Sequence, residues 1–302
     1  MEWWVIYKKS ELELDEKAHS INRLIEEAKK EGITLKVYKP EQFDIIVTKD
    51  DRKSIRVDWE IKNLPDFILP RMWSGTTYFA LAVIRHLERL WVYVVNSSEA
   101  IEMVKDKLFS FQVLAENNLP VPKTMLAKFP INAELVENQI GFPTVIKTLS
   151  GSQWSGVFLS EDKKSFQSTM EMIENIWNDK NLIFQEFIAS SKWKDLRVHV
   201  VWWKVIACME RNWVEWDFRA NYSLGWTAKE HPITPEIEWL ASQSAQMLWL
   251  EIAGIDLLFD NDHFKICEAN SSPWMKWIES CTQVNIPKEI FTFIKIRLGI
   301  YN

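Results

Sequence analysis

Apolar positions along the chain switch between a helical period and short continuous runs. Val5–Tyr7 predicts a strand. Lys17–Lys30 repeats near 3.6 residues, with Ala18, Ile21, Leu24, Ile25 and Ala28 on one face, and predicts an amphipathic helix. Gly32 stands just past its end, where a left-handed residue stops helices. Leu35–Tyr38, Asp44–Thr48 and Ser54–Val57 predict strands, the last two flanking the polar turn Lys49–Lys53. Phe67–Arg71 predicts a buried strand with a charge at its end, Thr76–Leu90 a helix and Val92–Val95 a strand. This alternation predicts a small parallel α/β domain over residues 1–95.

Asn96-Ser97-Ser98-Glu99 is a capping signal for a helix over Ala100–Lys107, continued through Lys107–Asn117. Asn117-Asn118-Leu119-Pro120-Val121-Pro122 stops it. Strands Lys123–Ala127, Thr144–Thr148, Val157–Ser160 and Leu182–Ile188 alternate with helices Ala133–Ile140 and Lys163–Trp177, completing a block over residues 96–188. A third block, 189–302, holds strands Asp195–Val201, Val205–Arg211 and Tyr222–Leu224, the helix Pro235–Leu250, a hairpin over Gly254–Trp277 and the helix Lys288–Leu298.

The hairpin carries the densest chemistry. Asp256 lies on its first strand. Glu268 and Asn270, two apart on the second, share a face that Asp256 joins from the neighbouring strand. Two carboxylates and an amide oxygen are hard ligands of the kind Mg²⁺ takes while holding nucleotide phosphates. The plain alternative is a solvated hairpin face.

Three further stretches fit phosphate chemistry. Lys147 ends a strand before the small-residue loop Ser150-Gly151-Ser152-Gln153-Trp154-Ser155-Gly156, so a point charge and loop N–H groups can meet phosphates. The order is not that of a P-loop, because the lysine precedes the loop. Gln185-Glu186-Phe187-Ile188 places strand backbone for a flat ring and Glu186 for a ribose hydroxyl, with an edge-strand acid as the alternative. Asp195-Leu196-Arg197 puts an acid and a base on one face, for which a cross-strand ion pair is the simpler reading. Arg219 and Asn221 follow a loop and could hold phosphate or an acyl oxyanion.

Composition narrows the class. A chain of 302 residues with 47% hydrophobic positions can bury two or three packed subdomains. A net charge of −6 argues against a nucleic-acid partner. Three cysteines with no C-x-x-C pair fit a reducing compartment. No basic n-region opens the chain, and no apolar run is long enough to span a membrane. The expectation is a cytoplasmic protein with no membrane partner, for which a homo-oligomer is compatible.

In order and spacing, these motifs resemble the ATP-grasp ligases, and most closely the RimK-like glutamate ligases. The residues that carry the resemblance are Lys147 with its loop, Gln185–Ile188, Asp195–Arg197, Asp217-Phe218-Arg219-Ala220-Asn221, Ala253–Asp256 and Glu268-Ala269-Asn270-Ser271-Ser272-Pro273, supported by Leu69-Pro70-Arg71, Asn96–Ile101 and Asp106-Lys107-Leu108. The resemblance runs from about Leu64 to Ile278. It implies an α/β and α+β chain: an N-terminal pre-ATP-grasp domain (1–95), a central ATP-grasp lobe (96–188) and a C-terminal lobe with the metal site (189–302). It implies ATP as cofactor, with two Mg²⁺ ions and Mn²⁺ as an alternative. Lys107, Lys147 and Ser152 would meet phosphates. Gln185, Glu186, Phe187 and Ile188 would hold adenine and ribose, with Asp195 and Arg197 nearby. Asp256, Glu268 and Asn270 would bind metal, and Arg219 and Asn221 the transferred phosphate and acyl group. The implied activity is carboxylate–amine ligation through an acyl phosphate, adding glutamate or a related amino acid to a small-molecule or protein acceptor. D-alanine–D-alanine-type and lysine-biosynthesis-type substrates stay open, and a non-catalytic ATP-binding module with the same fold is the alternative.

One departure is systematic. The family carries glycine where this chain reads Trp73, Trp91, Trp154, Trp202, Trp226, Trp274 and Trp277, and glycine is expected also at Trp193, Trp203 and Trp216. The chain has 17 tryptophans and 8 glycines, whereas typical usage of about 7% would give about 21 glycines. Trp202-Trp203 joins two strands through a two-residue turn that favours Gly, Asn or Asp. Three readings account for this: structural tryptophans, a degenerate relative, or a codon that the source reads as glycine and that has been rendered tryptophan. UGA, a stop codon read as tryptophan in some codes, is the candidate. Only the third reading accounts for the excess and the deficit together.

Overall fold

The computed structural model describes residues 1–49, 55–72, 77–149, 157–177, 181–212 and 227–300, the side chains of 175–177 excepted. The first block contains strands β1 (Glu2–Ile6), β2 (Thr34–Tyr38), β3 (Phe43–Ile45), β4 (Ile55–Val57), β5 (Glu60–Ile61), β6 (Phe67–Pro70) and β7 (Tyr93–Val94), with helices α1 (His19–Lys30) and α2 (Tyr78–Arg89). Four strands form a parallel sheet in the order β2-β1-β6-β7, as the alternating pattern predicts. β1 is buried throughout except at Glu2, the usual signature of a parallel strand covered on both faces. The short β3-β4-β5 sheet is antiparallel.

The next block contains α3 (Ser98–Lys105), α4 (Lys107–Glu116), β8 (Thr124–Ala127), α5 (Ala133–Gln139), β9 (Thr144–Thr148), β10 (Val157–Ser160), α6 (Lys163–Trp177) and β11 (Leu182–Glu186). The helix expected to run unbroken through Lys107 is split. Asp106 takes an extended conformation, and its carboxylate accepts from the N–H groups of Leu108 and Phe109, at 2.9 and 3.1 Å, to cap α4. Lys107 therefore starts a helix instead of lying inside one. The antiparallel sheet β10-β9-β11-β8 follows.

The last block contains β12 (Lys194–Val201), β13 (Lys204–Asn212), β14 (Thr227–Glu230), α7 (Pro235–Met247), β15 (Ile252–Asp260), β16 (His263–Asn270), α8 (Lys276–Thr282) and α9 (Ile286–Arg297). Its five-stranded antiparallel sheet has the order β14-β13-β12-β15-β16. The expected strand Tyr222–Leu224 lies outside the described residues. α8 and the short β5 carry too little periodicity to read from sequence.

Four apolar clusters hold these layers. One lies between α6 and the β9–β11 sheet, around Ile146, Phe166 and Phe184. A second packs α7 on β12, β15 and β16. A third fills one face of the N-terminal parallel sheet with α2. The fourth joins the other face of that sheet and α1 to α8 and α9, with Trp3 edge-on to Phe67 and Phe291. Ion pairing reinforces this joint, with Arg23 donating to Glu279. No helix among the described residues is long and apolar enough to cross a membrane.

Candidate functional site

The site is built where β9, β11 and α4 come up against β16. Three residues near one another on β16 each meet a different element. Lys265 Nζ lies 2.6 Å from Glu186 Oε1 on β11. Cys267 Sγ lies 4.0 Å from Lys147 Nζ on β9. Glu268 Oε1 lies 4.0 Å from Lys107 Nζ at the start of α4. The sequence-predicted phosphate lysines, the nucleotide strand and the hairpin are thus brought together.

Lys147 is buried, and Gln185 Oε1 accepts from its Nζ at 2.6 Å. Gln185 is fixed in turn by donating from Nε2 to Thr124 Oγ1, at 2.8 Å. Among the described residues, no carboxylate pairs with Lys147. A buried ammonium held by neutral groups is costly until an anion reaches it. Glu186 has two tethers: it accepts from the Lys123 backbone N–H at 2.8 Å as well as from Lys265. Phe187 and Ile188 follow directly at the strand end, Ile188 buried.

The three residues expected to bind metal lie on one face of the β15–β16 pair. β15 and β16 pair antiparallel, with Asp256 opposite Glu268 and Gly254 opposite Asn270, so all three oxygen-bearing side chains share one side. The Glu268 side chain is partly exposed, whereas Asp256 is buried. Asn270 Nδ2 donates to Gly254 O at 3.3 Å, which leaves its Oδ1 available. Asp256 is also the centre of an ion-pair network. Arg197, directly across from it on β12, donates through Nε and Nη2. Arg211 on β13 reaches Asp256 Oδ2 at 3.0 Å while holding Asp195 through Nε and Nη2 at 2.7 and 2.5 Å. A carboxylate offers about four acceptor positions, so the arginines leave room for a cation at the same oxygens. The donor set of two carboxylates and one amide oxygen fits a hard divalent ion.

Burial and charge oppose each other in this network. Burial pushes the Asp256 carboxyl up, but the two guanidiniums outweigh it and hold it below the usual carboxylate range. For Asp195 burial prevails over Arg211, with the Asp256 charge adding to it, and the carboxyl is raised. Burial lowers Arg211, yet Asp195 and Asp256 reverse this and raise it. His199, buried two residues beyond Arg197, is pushed down to about 3 by burial and the arginines, so it is neutral near pH 7. Burial lifts the Cys267 thiol to about 11, which keeps it protonated beside Lys147.

The turn after β16 is braced from two sides. Asn96 donates from Nδ2 to Ile252 O and Ser271 O, at 2.7 and 2.8 Å, and accepts from the Ile252 N–H. Buried Arg71 donates from Nη2 to Pro273 O at 2.5 Å. Pro273 lies directly on Gly254: a Cβ added there would sit 2.6 Å from Pro273 Cβ and 3.3 Å from Arg197 Cδ. Gly254→Ala is therefore expected to lower unfolding stability by about 1–3 kcal/mol through overpacking, read as a lower urea midpoint. An unchanged midpoint would contradict the close packing.

Arg211 and Lys265 are site residues that the motifs did not single out. Each was visible only as an ordinary strand charge. Ser152, Arg219 and Asn221 lie outside the described residues.

Comparison with known proteins agrees with this fold. Residues 12–101 match the RimK PreATP-grasp domain and residues 82–294 the RimK-like ATP-grasp domain. A probable alpha-L-glutamate ligase of Maridesulfovibrio salexigens is 33% identical over 278 residues, covering 92% of this chain and 91% of that one. The ATP-grasp ligase PsnB, solved with a phosphomimetic variant of its minimal precursor, Mg and ADP, superposes with a TM-score of 0.74 at 19% identity, covering 97% of each chain. The macrocyclase MdnC of Microcystis aeruginosa, bound to its precursor peptide MdnA, superposes at 0.72 with 17% identity over 97% of this chain and 99% of its own. The chain belongs to the RimK-like ATP-grasp family, ligases that use ATP to form a C–N bond between a carboxylate and an amine.

Proposed function

We infer that this chain joins glutamate, or a closely related amino acid, to a small-molecule or protein acceptor through an acyl phosphate. The observation that carries this is the buried Lys147, without a carboxylate partner among the described residues, set beside the Asp256–Glu268–Asn270 face. A cation awaiting an anion next to hard oxygen ligands suits a nucleoside triphosphate better than any neutral ligand.

In this reading Lys107, Lys147 and Ser152 hold the ATP phosphates, and Gln185–Ile188 hold adenine and ribose. Asp256, Glu268 and Asn270 would hold two Mg²⁺ ions, which offset charge on the moving phosphoryl group. The substrate carboxylate attacks the γ-phosphorus and ADP leaves. The amine nitrogen then attacks the acyl carbon, inorganic phosphate leaves and the amine gives up a proton. Arg219 and Asn221 hold the transferred phosphate and the acyl oxygen. Arg197 and Arg211 fix Asp256, and Asp195 fixes Arg211, so the carboxylate face does not turn. No nucleophilic Ser or Cys is required, which suits a site whose one cysteine is protonated. With block boundaries taken at residues 95 and 188, the nucleotide in this reading lies between the second and third blocks.

Glutamate is chosen because the curated relatives carry that name. The peptide-bound neighbours make a protein acceptor reasonable. Incubation with ATP, Mg²⁺, isotopically labelled glutamate and a pool of acceptor amines tests it. Label in an amide-linked product is expected. Incorporation of D-alanine in preference to glutamate would overturn the assignment.

A further inference from the structure

Backbone geometry separates the tryptophans of this chain into two populations. Among the described residues, ten that are not glycine have positive φ, and six of them are tryptophan: Trp59 (64°), Trp91 (64°), Trp193 (67°), Trp202 (48°), Trp203 (59°) and Trp249 (56°). The other four are Asp58, Asn118, Asn261 and Gln283. Only a few per cent of non-glycine residues adopt this region, and Asn and Asp lead because their short side chains bond locally. A bulky aromatic there is a true outlier.

The surrounding structure says which residue each position is made for. Among the described residues, five helices end in the same pair of backbone bonds. The residue just past the cap donates three residues back, and the next residue donates five back. At the end of α1 these are Gly32 N–H to Lys29 O and Ile33 N–H to Ala28 O, and at the end of α9 Gly299 N–H to Ile296 O and Ile300 N–H to Lys295 O. At α4 the pair is Asn118 to Ala115 and Leu119 to Leu114. At α2 it is Trp91 to Glu88 and Val92 to Leu87, and at α7 Trp249 to Gln246 and Leu250 to Ala245. This is the Schellman end, whose left-handed residue is usually glycine and sometimes asparagine. One device is thus used five times, with glycine, glycine, asparagine, tryptophan and tryptophan in the same place.

The hairpins agree. Asp58-Trp59 joins β4 to β5 and Trp202-Trp203 joins β12 to β13, each with positive φ at both residues. Two-residue loops of this kind favour Asp-Gly, Asn-Gly and Gly-Gly. Packing does not offset the strain at the most exposed sites. Trp91 is 87% exposed, Trp59 82% and Trp249 72%. Trp3 and Trp4, by contrast, lie in an ordinary strand and are fully buried.

We propose that Trp59, Trp91, Trp193, Trp202, Trp203 and Trp249 are glycine in the protein its source makes, through a codon read there as glycine. The set overlaps the family-based expectation at Trp91, Trp193, Trp202 and Trp203 and adds Trp59 and Trp249. It omits Trp274 and Trp277, whose φ is not positive.

Peptide mass spectrometry of the protein purified from its source reads the six positions directly. Glycine at all six is expected; tryptophan at any one overturns the proposal. An independent check uses the recombinant chain as written. Trp91→Gly and Trp249→Gly, made singly, are each expected to raise the melting midpoint by about 2–4 °C, whereas Trp3→Gly lowers it. A midpoint that fails to rise for either exposed site overturns the proposal.

Discussion

Asp256→Asn is expected to lower unfolding stability by about 3–5 kcal/mol, the usual result of removing one partner from a buried ion pair. The side chain is buried, and both its oxygens accept from guanidiniums, Arg197 across the β12–β15 ladder and Arg211 one strand further out. The substitution leaves two largely buried guanidiniums with one nearby carboxylate, Asp195, which burial already raises. Asparagine keeps one acceptor oxygen but none of the charge. The urea midpoint, compared at constant slope, measures the effect. A shift below about 0.5 kcal/mol, typical of surface substitutions, would mean that the arginines are satisfied elsewhere.

Glu268→Gln should separate chemistry from stability. The Glu268 side chain is partly exposed, and its neighbour in charge, Lys107, is 4.0 Å away. Partly exposed pairs of this kind contribute about 0–1 kcal/mol, so the unfolding midpoint should barely move. Mg²⁺-dependent ADP release should fall at least about 100-fold, because a metal site supplies several kcal/mol of stabilisation to the transferring phosphoryl group. Wild-type turnover in this variant would place the metal elsewhere.

The fold class was legible because each block obeys one simple rule: a helical period between apolar strands in residues 1–95, and alternating runs broken by Gly, Pro and Asn after that. The lysines and carboxylates of the site were legible as residue types at sequence spacings. Their facing was not. The two-residue loop between β15 and β16 sets Asp260 opposite His263, and an unbroken ladder from there would pair Asp256 with Cys267 and send Glu268 to the far side. A bulge between Asp256 and Leu257 shifts the register by one and returns Glu268 to the face of Asp256. A second bulge, at His199 and Val200, does the same on β12 and brings Arg211 opposite Asp195 in place of Lys194. Neither bulge carries a glycine or proline to announce it, which is why Arg211 went unseen. Glycine signals were also sparse where helices and hairpins end, since among the described residues tryptophan stands at six left-handed positions. At Trp249 the expected helix, Pro235–Leu250, overran the observed end at Met247, where a glycine like Gly32 would have marked the stop.

The most direct test is ADP release from ATP by the protein purified from its source, with Mg²⁺ and a carboxylate present and an amine pool added or withheld. Release that requires the acid, and amide product that requires the amine, is the predicted result. ATP binding with no ADP released for any acid and amine supplied would contradict the ligase account and leave a nucleotide-binding module on the same fold.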